Sequence, residues 1–298
     1  MKRKSFFATV IIAAAIAAAA AIATGAPSGA SMSVSISPTA GAGRIAMGKP
    51  DAPVEPESIK ALPARYDNAV NPKPLTAEGI KGELKMERTG YTVSYNPELR
   101  QPNYVAWTLT AVRTNGQNRR ESQFYEDAQL PVAVRALLAD YYNSGLSRGH
   151  MCPAADNKWS EQAMRESFLL SNVCPQSMSL NGGDWEKLES FCRSYVRRTG
   201  AKLHIICGPV FSSRPPKLRR KRLYEPDSFF KAIVCLDNGA ERGIAFIYAN
   251  GTQQHPMTHY ACTIDDVERL TGLNLFHTLP KNLQKRVKSQ NNLASWHQ

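Results

Sequence analysis

Ser147-Arg148-Gly149-His150 opens a run of polar residues. The run continues through Met151-Cys152-Pro153-Ala154-Ala155-Asp156-Asn157, Ser171-Asn172-Val173-Cys174-Pro175-Gln176 and Leu180-Asn181 to Trp185 and Glu189. The residue types converge on one chemistry. His150 is a base that titrates near neutral pH and can take a proton from water. Asn181 offers a neutral oxygen to a hard cation such as Mg²⁺, which keeps most of its own waters. Glu189 follows about two helical turns later, where it can accept hydrogen bonds from water around such an ion. Arg148 can contact a phosphate or the departing group. Together they suit metal-assisted cleavage of a phosphodiester. Taken singly, each has a plainer reading: a structural histidine, an asparagine N-cap, a solvated helix carboxylate. Their concentration in one short span argues for a site.

Working outward, Tyr91–Tyr95, Val105–Val112, Ser167–Val173, Leu203–Val210, Phe229–Leu236 and Gly243–Tyr248 read as strands. Pro131–Tyr142 reads as a helix with Pro131 in its first turn, and Ser160 caps a short helix over Glu161–Glu166. Asn181 is expected to precede a helix over Gly182–Arg198, with Trp185, Leu188, Cys192 and Val196 on one face. Ile264–Leu270 is a further short helix. Strands and helices without a βαβ rhythm give an α+β fold.

The same residues resemble the non-specific DNA/RNA endonuclease family, which includes mitochondrial endonuclease G and secreted bacterial nucleases. Its Asp-Arg-Gly-His signature is matched by Ser147–His150, its Asn-containing strand by Leu170–Gln176, and its helix by Asn181 with Trp185 and Glu189. Arg120 with Phe124 and Asp127 upstream, and Cys207–Phe211 and Thr263–Leu273 downstream, match further segments in the family's order. The resemblance implies a ββα-metal finger beside a central, mainly antiparallel sheet flanked by helices. It implies His150 as general base, Asn181 as direct Mg²⁺ ligand with Mn²⁺ as a substitute, and Glu189 ordering water at the ion. Asn172, Arg148 and Arg120 would hold the site or the phosphate, with Arg119 the competing choice upstream. The substrate would be DNA and/or RNA, cut with little sequence specificity to leave 5′-phosphate ends. Ser147 departs from the family's usual Asp. The alternatives are a catalytically silent nucleic-acid-binding module, or a phosphodiesterase for another phosphodiester.

The bulk composition agrees. A net charge of +12 favours polyanionic partners. No glycine-rich phosphate loop, G-x-S-x-G elbow or H-E-x-x-H motif occurs, which removes three common enzyme classes. His255, His259 and Cys262 make a zinc site imaginable, but Pro256 intervenes and no fourth ligand is evident. The basic loop Arg219-Arg220-Lys221-Arg222 could track a nucleic-acid backbone or be a solvated loop.

Residues 1–26, with Lys2–Lys4 before an apolar run over Phe6–Ala23, read as a signal peptide, or an anchor if uncleaved. That implies an exported protein, periplasmic or secreted, without stable membrane association once the signal is removed. Residues 27–84 read as a flexible linker and 85–298 as the nuclease domain. Oligomeric state is not legible. Six cysteines in an exported chain favour disulfides. Spacing and strand-like settings favour Cys152–Cys174 and Cys235–Cys262, which leaves Cys192–Cys207; the last two are also plausible as small buried hydrophobes. Within the resemblance, a Cys152–Cys174 bond would brace the finger strands.

Overall fold

The computed structural model describes residues 71–297 except 219–220, 238–240 and 253, all within the unit Pro53–Gln298. The expected signal segment and most of the expected linker lie outside the described residues. The strands are β1 (Ala77–Glu78), β2 (Leu84–Glu87), β3 (Thr92–Asn96), β4 (Gln101–Leu109), β5 (Ser147–His150), β6 (Val173–Gln176), β7 (Leu203–Val210), β8 (Ser228–Cys235), β9 (Arg242–Ala249), β10 (Ala261–Cys262) and β11 (Asn274–Leu275). The helices are α1 (Ala111–Thr114), α2 (Leu138–Tyr141), α3 (Glu161–Ser167), α4 (Met178–Asn181), α5 (Asp184–Thr199), α6 (Met257–Tyr260), α7 (Ile264–Thr271) and α8 (Lys281–Lys288).

Seven strands form an antiparallel sheet in the order β10-β9-β8-β7-β4-β3-β2. Its central strands are covered on both faces, so they read as continuous apolar runs rather than a simple alternation. Along β8, Phe229, Ile233 and Cys235 enter one core cluster, and Phe230, Ala232 and Val234 enter the other. The first cluster is closed by Trp185, Leu188, Cys192 and Val196 of α5, the stripe expected from the sequence. The second is closed by Ile264 and Val267 of α7 and Val287 of α8. On the α5 side, β5 and β6 form a separate antiparallel ribbon pairing Ser147 with Gln176 and His150 with Val173. Ribbon and helix together are a ββα finger on a central antiparallel sheet, the α+β arrangement expected.

Several local expectations are corrected. β4 ends at Leu109 and the chain turns into α1, which carries Arg113 into the interior. There its guanidinium donates to the Thr108 and Gly90 carbonyls and to the Asn71 and Asn157 side chains at 2.6–2.8 Å. Pro131–Tyr142 is helical only over Leu138–Tyr141. The Tyr95 hydroxyl donates to the Val134 carbonyl at 3.0 Å and accepts from the Ala136 amide at 3.1 Å, so tertiary contacts replace helical ones. The expected strand Ser167–Val173 is a 3₁₀ turn over Leu170–Asn172 leading into β6. Tyr125 holds this turn by accepting from Leu170 and donating to Phe168. The linker ends earlier than residue 84, because Asn71 is buried and Ala77 pairs with Leu275.

The disulfides are also corrected: all six cysteines are free thiols. Cys174 stands opposite Gly149, not Cys152. Cys235 faces the α5 side of the sheet and Cys262 packs against the opposite cluster, so that pair cannot bridge. Cys192 and Cys207 are small buried groups in the same core, their thiols pushed up by burial, that of Cys192 to about 12.

Candidate active site

The finger and the loop before it build a polar cleft of about 330 Å³. Arg120, Arg148, His150, Asn181, Glu189 and Arg193 all line it. Five of the six residues named from the sequence therefore meet in one place.

His150 ends β5 and is 7% exposed. Its ring packs against Phe124 at 5.0 Å and Phe168 at 4.7 Å, the second edge-on, and those two rings also touch each other at 5.0 Å. Its Nε2 has no hydrogen-bond partner among the described residues. Burial, and then the neighbouring Arg120 and Arg148 charges, lower its pKa to about 3. The imidazole is therefore neutral at any ordinary pH, the state a base requires. The register that aims it is tight. A side chain on Gly149 would collide with the Gln176 amide across the ribbon, so glycine is needed for close approach.

The two arginines are held by the same aromatic pair. The Arg148 guanidinium sits 4.5 Å from the Phe124 ring centroid and that of Arg120 sits 5.0 Å from Phe168. Of the two upstream candidates, Arg120 lines the cleft and Arg119 does not. Ser147, where the signature usually has Asp, donates from its hydroxyl to the Gln176 carbonyl at 2.7 Å and helps close the ribbon.

Asn181 is placed differently from expectation. It ends α4 instead of capping α5, whose N-cap is Gly183. This leaves its carboxamide uncommitted: it finds no hydrogen-bond partner among the described residues and faces the cleft. Asn172, by contrast, is a positioning residue. It is fully buried, donates to the Cys152 and Ser167 carbonyls and accepts from the Cys152 amide, so nothing of its side chain is left for a substrate. It fixes the chain that leaves His150.

Glu189 lies on α5 with its carboxylate 3.7 Å from Arg193 and 3.8 Å from Lys231. Burial outweighs these cations and raises its pKa to about 7. Lys231 escaped the sequence reading. It is 1% exposed and projects from β8 with its ammonium 4.2 Å from the Trp185 ring and 5.5 Å from Trp107. Its signal was present as a lone charge inside the apolar run Phe229-Phe230-Lys231-Ala232-Ile233. Asp156, also missed, accepts from Trp107 Nε1 at 3.0 Å and pairs with Arg193 at 3.3 Å.

The donor set suits one kind of ion. No group of three His, Cys, Asp or Glu able to hold a metal occurs among the described residues. His255 and His259 stack at 4.3 Å but gain no third ligand. A single neutral oxygen at Asn181 with a carboxylate nearby fits a hard cation that retains most of its hydration, such as Mg²⁺.

Known proteins resemble the chain in sequence and in fold. The mitochondrial Nuclease 1 of Schizosaccharomyces pombe is 32% identical over 78% of this chain and 78% of its own length. Human mitochondrial endonuclease G is 30% identical over 67% of this chain and 72% of its own. Nuclease C1 of Cunninghamella echinulata is 34% identical over 65% and 83%. A crystal structure of an EndoG/EndoGI complex matches the fold with a TM-score of 0.63 at 22% identity, covering 70% of this chain and 90% of that one. The mitochondrial relatives overturn the expectation of an exported protein. The lack of any Asp or Glu in residues 1–50 is a composition that mitochondrial transit segments share with signal peptides, so the apolar run alone was a poor guide. Residues 71–282 match the DNA/RNA non-specific endonuclease description across sheet, finger and helix, and the chain belongs to that family.

Proposed function

We propose that this nuclease cleaves DNA and/or RNA with Mg²⁺, using His150 as general base and Asn181 as the ion's protein ligand. One observation carries the reading. A buried, neutral His150 lines the same cleft as the uncommitted Asn181 carboxamide.

The His150 imidazole takes a proton from a water molecule, whose oxygen attacks phosphorus as the bond to the 3′ oxygen breaks, leaving a 5′-phosphate. Arg148 and Arg120 bind the non-bridging phosphate oxygens, and their stacking on Phe124 and Phe168 presets both guanidinium planes. Asn181 would hold the hydrated ion directly, and Glu189 would accept hydrogen bonds from its hydration shell. Bound there, Mg²⁺ supplies charge neutralisation for the phosphoryl group and the leaving oxygen. No named group addresses a base edge, which favours weak sequence specificity. Mn²⁺ satisfies the same oxygen donors.

The mitochondrial names of the relatives support a mitochondrial location. Plasmid digestion tests the activity: nicking and linearisation with Mg²⁺, and none with excess EDTA. Binding without cleavage in Mg²⁺ would leave a silent binding module, and cleavage of small phosphodiesters alone would leave a phosphodiesterase.

The pH response separates Glu189 from His150. Glu189 is protonated below about pH 7 and must be ionised to orient water, so activity rises as pH increases through that value and then levels. His150 loses its proton near pH 3 and cannot cause this limb. Glu189→Gln is expected to remove the limb and leave a flat, slower profile. Higher Mg²⁺ shifts the wild-type limb to lower pH, because a cation favours the ionised carboxylate. A limb that survives in the glutamine variant would assign it to another group.

A further inference from the structure

A second, larger groove of about 850 Å³ opens from the cleft and shares Arg120, Arg148 and Asn181 with it. Its cations are Arg120, Arg148 and Lys221, and none of its lining residues is acidic among those described. Lys221 is fixed by donating to the Ala139 carbonyl at 2.7 Å. The carboxylate nearest in sequence, Asp140, is turned away onto Arg222 at 3.1 Å. The groove also presents an aromatic face. Tyr142 is 72% exposed and is the only aromatic among the large exposed apolar side chains described. Its position is nevertheless determined. Tyr141 is buried with its hydroxyl on the Val173 carbonyl, directly opposite His150 in the ribbon, and Asn143 follows in the left-handed region at φ +53°. The ring thus stands free on backbone anchored to the strand pair that aims the base.

We infer that this groove seats one unpaired nucleotide beside the scissile phosphate, its base stacked on Tyr142 and its phosphates running over Lys221 and Arg148. The inference rests on the nucleic-acid reading of the cleft. Three cations without a carboxylate complement a phosphate backbone, and a free aromatic face recognises any base through its π-surface. Inside a duplex both faces of each base are already stacked, so along a strand an unpaired nucleotide is what can use Tyr142. The groove therefore confers a preference for single-stranded or looped substrate.

The test uses a fluorescent oligothymidylate, an abasic oligomer of equal length and a blunt duplex, each bound in EDTA by the full chain. Tyr142→Ala is expected to weaken oligothymidylate binding by on the order of tenfold, and to leave abasic and duplex binding unchanged within about twofold. Tyr142→Phe should bind as wild type does and Tyr142→Leu as the alanine variant does. With Mg²⁺, Tyr142→Ala should raise KM on single strands and leave kcat on plasmid unchanged. Unchanged oligothymidylate binding, equal losses on all three ligands, or a leucine variant that binds normally would each overturn the stacking site. Binding in EDTA reads the groove independently of cleavage, so a wild-type protein that fails to cut with Mg²⁺ would count against the proposed activity and not against the groove.

Discussion

Replacing His150 by alanine is expected to lower turnover on plasmid DNA by roughly 10²–10⁴-fold, the usual worth of a positioned general base. The fold should survive the change. His150 contributes ring contacts to Phe124 and Phe168, but it also buries an Nε2 without a partner, a group whose desolvation costs about 1–3 kcal/mol. Removing the ring loses the contacts and relieves the desolvation, and the two effects oppose each other. The measurement is a pair: kcat on supercoiled plasmid and the thermal midpoint by circular dichroism. Loss of turnover with a little-changed midpoint is the expected result. Turnover within a few-fold of wild type would remove His150 from the chemistry.

Asn181→Ala is expected to weaken the apparent affinity for Mg²⁺ by about 10- to 100-fold, with activity recovering in part at high Mg²⁺. The carboxamide is bonded to nothing in the fold, so its loss leaves no stranded partner and destabilises little. Asn181→Asp keeps the oxygen donor and adds charge, and should bind the ion at least as tightly as wild type does. Titration calorimetry with Mg²⁺ alone reads this without substrate. Equal affinity in wild type and Asn181→Ala would place the ion on other residues.

Much of the sheet was legible because its strands are long, apolar and built from β-branched and aromatic residues. Leu203–Val210 was read to the residue. The α5 stripe was legible for the same reason, since four apolar residues at helical spacing outweigh any local ambiguity. What failed depended on contacts from distant sequence. The helix expected over Pro131–Tyr142 yields to one hydroxyl from Tyr95. The extension of β4 yields to the burial of Arg113, and the strand before Asn172 yields to Tyr125. Motif order gathered His150, Asn181, Glu189 and the arginines, yet it could not tell a group that faces the cleft from one that faces the backbone. Asn172 and Asn181 were both placed at the site, the first to hold the site or phosphate and the second to hold the ion. Only the folded chain shows the first saturated with hydrogen bonds and the second with none. Lys231 and Asp156 were missed because they arrive from separate elements, and spacing carries no information about that.

The aromatic packing around His150 would have a consequence for the entropy of the proposed catalysis. A surface histidine samples several rotamers and must be caught in one of them each time a phosphate arrives. Here the imidazole is packed against the touching rings of Phe124 and Phe168, on a strand whose next residues are clamped by Asn172. The loss of side-chain freedom is met once, when the chain folds, and does not recur at each encounter with substrate. In the proposed mechanism the two phenylalanines would act on the rate without touching the reacting atoms, by shortening the list of conformations the base can occupy.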